Sequence, residues 1–415
     1  MTARLYYTDS FLYDFEADVV EILPPSSASQ RTAVILNRTA FYPTSGGQVF
    51  DTGWIAPVNA SNENSRARVI EVAEREDGTV LHFLEGTASL AKGTHIRGLI
   101  DADRRRDHMQ QHSGQHVLSA AFVRLFDMPT VSFHMGDDYC SIDLETDSLT
   151  PEQVEAAERL ANEVILEDRP VKIRFVTQEE AGSLGLRKVP RADKNELRLI
   201  DIGDFDLTAC GGTHVQSTGQ IGCILLRKTE KVRQGMRVEF VCGLRAVGTA
   251  RRDYSTLTEA AGLYSSHIWD LPQQIRKAQE EAKAVRRSCE QLQEQLAELY
   301  AAGILSQAEP VNGRKMITRV FADRDVGFIK LLAQKLTRVE SNVVALLGCS
   351  SGQPSLVFAQ SAGLPFDMGA LMKDALAKLG GRGGGSKDMA QGGPADLQRM
   401  GSVLVECVRT LNSLK

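Results

Sequence analysis

Short apolar or alternating runs occupy much of the first hundred residues. Three examples are Ala33–Leu36, Ala67–Val72 and Val80–Phe83. Runs of about four to eight residues bounded by turn signals are typical of strands rather than helices. Asp77-Gly78 is one of the turn signals that separate them. We predict a β-barrel-like domain over residues 1–100.

The apolar period changes to that of a helix just after residue 100. Residues 104–126 and 150–168 carry this period, and Thr150 followed by Pro151 is a typical helix start. Strand-like runs follow at 171–176, 221–226 and 237–241. The mixture predicts an α+β domain over residues 101–250.

The most regular pattern is an apolar repeat in which steps of four and three residues alternate. Its members are Leu271, Ile275, Ala278, Ala282, Val285, Cys289, Leu292, Leu296 and Leu299. A period of about 3.5 residues places one apolar seam along a helix. We therefore predict a heptad helix linker over residues 251–305. The seam fits a helical hairpin within the chain and equally a homodimer formed through residues 271–299.

Strands and helices alternate again beyond Pro310. The strand-like runs are Met316–Phe321, Val343–Leu347 and Leu356–Ala359, and the helical runs are Val326–Leu336 and Met368–Leu379. This alternation is typical of an α/β domain, which we place at residues 306–415. The chain as a whole is predicted to be an α+β multidomain protein.

Composition narrows the class of protein. Of 415 residues, 42% are hydrophobic and 24% are charged, which is ordinary for a globular protein. The first residues lack the apolar run of a secretory signal, and no apolar stretch is long enough for a membrane span. Seven scattered cysteines favour a reducing compartment, so we expect a cytoplasmic protein. The net charge of −5 means that any RNA must be bound by local basic patches.

Two pairs of residues have the chemistry of metal ligands. His112 and His116 are four residues apart on a predicted helix and therefore share one face. Cys210 and His214 flank two glycines that let the backbone turn tightly. Two histidines at this spacing are more often unrelated, but together the pairs offer a tetrahedral set for one zinc ion. Ser113 rather than glutamate follows the first histidine, so the general base of the zinc proteases is absent.

These pairs lie within longer motifs. Four segments resemble the editing domain of alanyl-tRNA synthetase, which the stand-alone AlaX proteins share. They are Ile100–Arg105, His112–His116, Ile202–Asp206 and Cys210–Val215. The glycine-rich motif of that family is resembled by Arg38–Pro43, Ser45–Gln48 and Asp51–Gly53. The C-terminal tRNA-binding domain of the synthetase is resembled by Gly380–Gly385 with Asp388–Gln391. In this order the motifs are similar to those of the long AlaX form.

The resemblance implies a trans-editing hydrolase. Its reaction would be the zinc-dependent hydrolysis of the ester that joins serine to alanine tRNA. Glycine is a further candidate for the amino acid that is removed. Such an aminoacyl-tRNA deacylase serves translation fidelity. By motif position, the ligands of one zinc ion per chain would be His112, His116, Cys210 and His214.

The resemblance also implies substrate contacts. Thr39 matches the family threonine that senses the serine hydroxyl. The strip that lines the editing pocket matches Gly46, Gly47 and Gln48, and Gln48 joins Thr39 as a candidate catalytic residue. Arg104 and Arg105 match a basic pair that contacts phosphate or serves the structure, and Arg382 and Lys387 are candidates for tRNA phosphates.

Other interpretations stay open. Thr39 could be a strand residue with a satisfied hydroxyl, Gln48 a turn residue, and Arg104–Arg106 a solvated helix face. The run Gly380–Gly385 could be a flexible linker or a nest that cradles phosphate. Four ligands would suit a structural zinc unless one of them dissociates.

Other functions also stay open. The chain could be a non-catalytic RNA-binding module with a structural zinc, or a protein-interaction factor that uses the heptad helix. A truncated synthetase is disfavoured because no adenylate-forming core is seen before residue 40, where the family places it.

Overall fold

The computed structural model describes residues 1–25, 31–58, 65–86, 90–187, 196–233 and 235–413. The chain divides into two compact units, Met1–Glu259 and Ala260–Lys415, here called the N-terminal and C-terminal units. Eight α-helices and twenty strands lie within the described residues. None of these helices is long and apolar enough to cross a membrane.

The N-terminal unit begins with a closed barrel. The first strands are β1 Ala3–Arg4, β2 Asp14–Leu23, β3 Ala33–Leu36, β4 Arg38–Thr39, β5 Gly53–Pro57, β6 Ala67–Glu74, β7 Val80–Glu85 and β8 His95–Ile100. The barrel order is β2-β3-β7-β6-β5-β8. Val34, Ile55 and Val69 are fully buried within its apolar core. The predicted β-barrel-like architecture is confirmed.

Strand β8 leads directly into the helix that carries the first two predicted ligands. The helices of this region are α1 Ala102–Phe126, α2 Pro151–Leu166, α3 Gln178–Ser183 and α4 Gly243–Leu263. Every residue of α1 from Gln111 to Phe122 is buried. Polar side chains in this stretch therefore need partners within the protein.

Two sheets surround this helix region. Their strands are β9 Thr130–Met135, β10 Cys140–Leu144, β11 Val171–Thr177, β12 Glu196–Ile202, β13 Asp206–Ala209, β14 Ile224–Val232 and β15 Gly235–Cys242. They form an antiparallel sheet β14-β15-β10-β9 and a second antiparallel sheet β11-β12-β13. The apolar faces of both sheets join α1 and α2 in one core. The mixture of helices and antiparallel sheets confirms the α+β prediction.

The C-terminal unit is a five-stranded sheet with helices on both faces. Its elements are α5 Leu271–Gln307, β16 Lys315–Phe321, α6 Val326–Val339, β17 Val343–Cys349, β18 Ser355–Gln360, α7 Met368–Leu379, β19 Arg382–Gly385, β20 Met389–Gly393 and α8 Met400–Ser413. The strand order is β16-β17-β18-β20-β19, with β16 and β17 parallel and the other pairs antiparallel. Helices α7 and α8 pack on one face, and α5 and α6 on the other.

The heptad seam predicted along α5 is mostly exposed. Val285, Leu292 and Leu299 are 69%, 64% and 72% exposed. The end of α5 packs mainly through Ala297, Ala301 and Leu305, which lie off the seam. The seam residue Leu296 is partly buried against the same cluster. The described chain therefore does not bury the seam in a helical hairpin, and the homodimer stays a prediction.

The glycine run Gly380–Gly385 has a conformation that the sequence did not suggest. Its last four residues form β19, in which Arg382 pairs with Gly393 and Gly385 with Ala390. Gly380 alone in the run has a left-handed φ, +67°, and it ends α7. A phosphate nest needs successive backbone N–H groups that are free to bind an anion, but those of Gly380 and Gly381 both donate to the Leu376 carbonyl. Both the nest and the flexible linker were therefore wrong, although Arg382 and Lys387 are exposed.

Candidate metal centre

The structure brings the four predicted ligands together. His112 and His116 lie one turn apart on α1, while Cys210 and His214 lie in the segment after β13. Their ligand atoms are all within 4.8 Å of one another. The Cys210 Sγ atom lies 3.4 Å from His112 Nε2 and 3.3 Å from His214 Nε2. Two distant segments of the chain thus meet at one point with the donor set of a zinc site.

Each histidine of this cluster is oriented by an oxygen at its other ring nitrogen. Nδ1 of His112 lies 2.7 Å from Gln48 Oε1, and Nδ1 of His116 lies 3.2 Å from Asp206 Oδ2. Nδ1 of His214 lies 3.1 Å from Ser113 Oγ. An Nδ1–H group that donates to oxygen leaves Nε2 unprotonated for a metal. The cluster therefore fits a zinc ion in its orientation as well as in its composition.

The glycines between Cys210 and His214 make room for the cluster. A Cβ atom at Gly212 would collide with the His112 ring and approach Gln48 Oε1. The Gly212 N–H also donates to Cys210 Sγ at 3.4 Å. A residue with a side chain at this position would displace the histidine, so the close approach explains why glycine stands there.

The pKa shifts of Cys210 and His214 suit metal binding. Burial lowers the pKa of His116, but its hydrogen bonds to Asp206 and Cys210 outweigh burial and raise it. Burial raises the pKa of the Cys210 thiol, but the neighbouring imidazoles of His112 and His214 outweigh burial and lower it well below its usual value. Burial lowers the pKa of His214 to about 3. A thiolate and a neutral imidazole are the forms that bind metal.

A cavity of about 480 Å³ opens onto three of the four predicted ligands, namely His112, His116 and Cys210. Its other lining residues are Gly46, Gln115, Thr130, Val131, Ser132, Phe133, Arg187, Thr208, Ala209 and Gly211. Among the described residues no carboxylate lines it. An ion in the cluster could therefore be approached from one side, along a wall that carries several hydroxyl groups.

The predicted pocket strip has two different roles. Gly46 lines the cavity, whereas Gly47 has a φ of +86° and packs against Phe133. Gln48 is fully buried, accepts from the Thr213 N–H at 3.1 Å and donates to its hydroxyl at 2.8 Å. Since Gln48 also holds His112 and does not line the cavity, it positions a predicted ligand. Its predicted role as a catalytic residue needs correction.

Thr39 lies in a place that does not suit its predicted role. The side chain is fully buried, its hydroxyl lies 2.8 Å from His82 Nε2, and it accepts the Phe41 N–H at 3.1 Å. Thr39 is not among the cavity-lining residues. Its hydroxyl is satisfied within the barrel region, so this geometry does not support contact with a substrate hydroxyl.

The basic pair at the start of α1 serves the structure. Arg105 is fully buried and donates to Asp51, to the Ser10 carbonyl at 2.8 Å and to the Ala40 carbonyl at 2.6 Å. Arg104 donates to the Phe50 carbonyl at 3.1 Å and lies over the Phe50 ring. Of the two predicted roles, Arg105 has the structural one, because a phosphate cannot reach a fully buried guanidinium.

Sequence reasoning missed several residues of the cavity wall. Thr130 and Ser132 lie on β9, two residues apart and therefore on one face of the strand. The Thr130 hydroxyl lies 2.7 Å from Ser119 Oγ, and Ser132 donates to Asp143 at 2.7 Å. Arg187 is also part of this wall. No spacing in the sequence connects these residues to the histidines, because tertiary packing alone brings them together.

Two family models match parts of the chain. Residues 6–104 match the model described as tRNA synthetases class II (A). Residues 197–238 match the model described as threonyl and alanyl tRNA synthetase second additional domain. The second match contains Cys210 and His214, the ligand pair that follows β13.

Curated relatives cover nearly the whole chain. The alanyl-tRNA editing protein AlaX-L of Pyrococcus horikoshii is 30% identical over 94% of this chain and 94% of its own. The alanine–tRNA ligase of Archaeoglobus fulgidus is 32% identical over 94% of this chain, but only 42% of the ligase is matched. The chain thus spans less than half of that ligase.

A solved structure is also similar in part. The C-Ala domain of Aquifex aeolicus alanyl-tRNA synthetase is 22% identical, with a TM-score of 0.23, and covers 26% of this chain and 96% of that domain.

Proposed function

The chain belongs to the family of alanyl-tRNA editing proteins, and from that premise we propose that it is a trans-editing deacylase. Its reaction is the hydrolysis of the ester that joins serine to alanine tRNA, with glycine as a second substrate. The observation that carries the proposal is the cavity that opens onto His112, His116 and Cys210. A purely structural zinc would not need such an approach. We place the reaction in the cytoplasm.

We infer that the cluster holds one zinc ion through His112, His116, Cys210 and His214. A bound zinc ion supplies Lewis acidity toward an ester carbonyl. The chain supplies orientation: Gln48, Asp206 and Ser113 fix the three imidazoles. Because the described cavity wall has no carboxylate, the wall binds and orients the ester rather than providing a carboxylate base.

Selectivity for serine is proposed to arise on the cavity wall. Thr130 forms a hydroxyl network with Ser119 and Gln115, and both Thr130 and Gln115 line the cavity. A site that hydrogen-bonds a substrate hydroxyl discriminates against an analogue that lacks it, because buried polar groups would lose their partners. Correctly charged alanyl-tRNA would therefore be spared.

Recognition of the tRNA is assigned to a separate part of the chain. The N-terminal cavity accommodates only the charged end of a tRNA, and the chain carries a net charge of −5. Affinity must therefore come from local contacts. We propose that the C-terminal unit supplies them, with the exposed Arg382 and Lys387 among the phosphate contacts.

The proposed homodimer uses the exposed seam of α5. A second copy would cover Val285, Leu292 and Leu299, which the chain itself leaves exposed. Sedimentation should show a dimer that Leu292→Lys dissociates. The neighbouring Gln291→Lys, which adds the same charge off the seam, should leave it intact. A folded monomer in all three cases would contradict the dimer.

A deacylation assay tests the function. The full chain, loaded with zinc, is incubated with alanine tRNA charged with serine, glycine or alanine. We expect rapid release of serine, slower release of glycine and little release of alanine. A zinc-loaded protein that releases none of them, although it binds the tRNA, would favour a non-catalytic RNA-binding module.

A further inference from the structure

One charged side chain on the cavity wall lies outside the motifs of the sequence. Among the described residues that line the metal cavity, Arg187 is the only lysine, arginine, aspartate or glutamate. The same side chain also lines a second cavity, of about 600 Å³, which carries Arg124 and Arg174 as well as four aspartates, Asp127, Asp201, Asp204 and Asp206. Arg187 therefore lies between the metal cavity and this second cavity.

Arg187 is held in a fixed orientation by a buried carboxylate. Its Nε donates to Asp206 Oδ1 at 2.6 Å, and its Nη2 donates to Asp206 Oδ2 at 3.0 Å. The Asp206 side chain is 1% exposed, whereas that of Arg187 is 16% exposed. A two-point contact of this kind fixes the plane of the guanidinium. The arginine is therefore preorganised, with one edge occupied.

The other edge of the guanidinium remains available. Within the described residues, Nη1 of Arg187 has no hydrogen-bond partner, and it does not belong to the buried polar atoms that lack one. The wall of the metal cavity offers no described carboxylate that would compete for it. Planar guanidinium donors of this kind suit phosphate oxygens.

The position of Arg187 indicates which part of a charged tRNA it meets. Asp206 lies between Arg187 and His116, because its Oδ2 atom also lies 3.2 Å from His116 Nδ1. A carboxylate and an imidazole therefore separate the guanidinium from the point where the ligand atoms converge. An ester carbonyl at that point is too far inward, whereas a phosphate one ribose away from the ester suits the separation.

We propose that Arg187 binds the phosphodiester on the 5′ side of the terminal adenosine of the charged tRNA. This inference rests on the proposed function and names a contact of that same site. Arg187 then sets how far the tRNA end enters the cavity, and Asp206 links that contact to the ligand His116. The tRNA is thereby held at its last phosphate while its ester lies over the metal cluster.

Two small substrates test the contact. The zinc-loaded full chain is given 3′-seryl adenosine and 3′-seryl adenosine 5′-monophosphate, and kcat/KM is measured for each. Wild type should prefer the phosphorylated ester by roughly 10- to 100-fold, the effect of a hydrogen bond to a charged group. Arg187→Gln should bring the ratio toward one, mainly through KM. Arg187→Lys should retain part of it, because the charge stays while the two-point contact is lost.

Three readouts separate this role from a structural one. Loss of metal through Asp206 would slow both esters alike and leave their ratio unchanged, so zinc content is measured beside the rates. The matched control Arg174→Gln, which lines the second cavity but not the metal cavity, should keep the wild-type ratio. The salt dependence of uncharged alanine tRNA binding should fall by about one phosphate contact in Arg187→Gln.

The two proposals can fail separately. A wild-type ratio together with an unchanged salt slope in Arg187→Gln would overturn the phosphate contact. A wild type that releases no serine from charged alanine tRNA, although Arg187→Gln still lowers the salt slope, would overturn the proposed deacylase and leave the contact standing.

Discussion

A buried histidine of the barrel region and the buried histidines of the candidate metal centre use their ring nitrogens differently. In the barrel region, His82 lies 3.0 Å from the Val34 carbonyl through Nδ1 and 2.8 Å from the Thr39 hydroxyl through Nε2. At the candidate metal centre, His112 and His214 each have an oxygen at Nδ1 only, while Nε2 faces the Cys210 sulfur. The first arrangement is complete without a ligand, whereas the second leaves a set of donors directed at one point.

Burial alone does not distinguish the two groups. Desolvation lowers the pKa of His82 to about 4 and that of His214 to about 3, so both imidazoles are neutral near pH 7. What distinguishes them is the partner of the second nitrogen. A buried histidine with oxygen at both nitrogens serves the structure, and one with oxygen at a single nitrogen is available as a ligand.

Removal of a predicted ligand should have the largest effect on the candidate metal centre. Cys210→Ala deletes the one thiolate of the cluster and should abolish both stable zinc binding and serine release. Zinc content after gel filtration, measured beside deacylation, checks this. Cys223→Ala is the matched control, because that cysteine is free and lies outside the cluster. Equal zinc content in the two variants would contradict the ligand assignment.

A smaller effect is expected from the oxygen partners. Gln48→Met removes the group that orients His112 and should weaken zinc binding by roughly 10- to 100-fold. Competition with a zinc chelator measures the affinity. The matched control is Gln110→Met, on the same helix as His112. Because Gln110 donates to the Gln220 carbonyl and not to His112, this variant should have the zinc affinity of wild type. If Gln48 were only a turn residue, the two variants would bind zinc alike.

The smallest effect on zinc binding and on the reaction is expected from a change at Thr39, the hydroxyl partner of the barrel histidine. Thr39→Val removes the hydroxyl that His82 and the Phe41 N–H share, and should reduce the free energy of unfolding by about 1–3 kcal/mol. Zinc content and the preference for serine over alanine should not change. Denaturant unfolding and the two deacylation rates check this. A lost preference at unchanged stability would instead support the hydroxyl-sensing role that the family resemblance implies.

The sequence predicted the ligand cluster because its signal is local. Spacing placed His112 and His116 on one helix face, and the paired glycines marked the tight turn between Cys210 and His214. Both features follow from backbone geometry over five residues or fewer. The link between the two pairs came from the family resemblance, since no spacing relates segments about a hundred residues apart.

What the sequence could not predict depends on tertiary contacts. Thr130 and Arg187 belong to the cavity only because β9 packs against α1 and the segment after α3 lies against β13. For Arg105 the sequence left open a phosphate contact, a structural contact and a solvated helix face, and its burial against Asp51 favours the structural one. The strand β19 was missed because a run of glycines has little strand propensity by itself. Pairing with β20 overrides that propensity.

The fold was more predictable than the site. Helix α7 was predicted at Met368–Leu379, the bounds it has, and α2 begins at Thr150-Pro151 with the Gln153 N–H donating to the Thr150 hydroxyl at 3.3 Å. Periodicity and capping report local structure, and these elements are local. The heptad period also predicted a helix where α5 lies, but it did not indicate which residues of α5 pack within the chain.

The most direct test of the account couples metal to reaction in the full chain. Zinc content and the rate of serine release from alanine tRNA are measured as purified, after removal of the metal by a chelator, and after zinc is restored. We expect about one zinc ion per chain, a rate of serine release that is lost with the metal, and its recovery on reloading. A metal-free protein that releases serine at the full rate would contradict it.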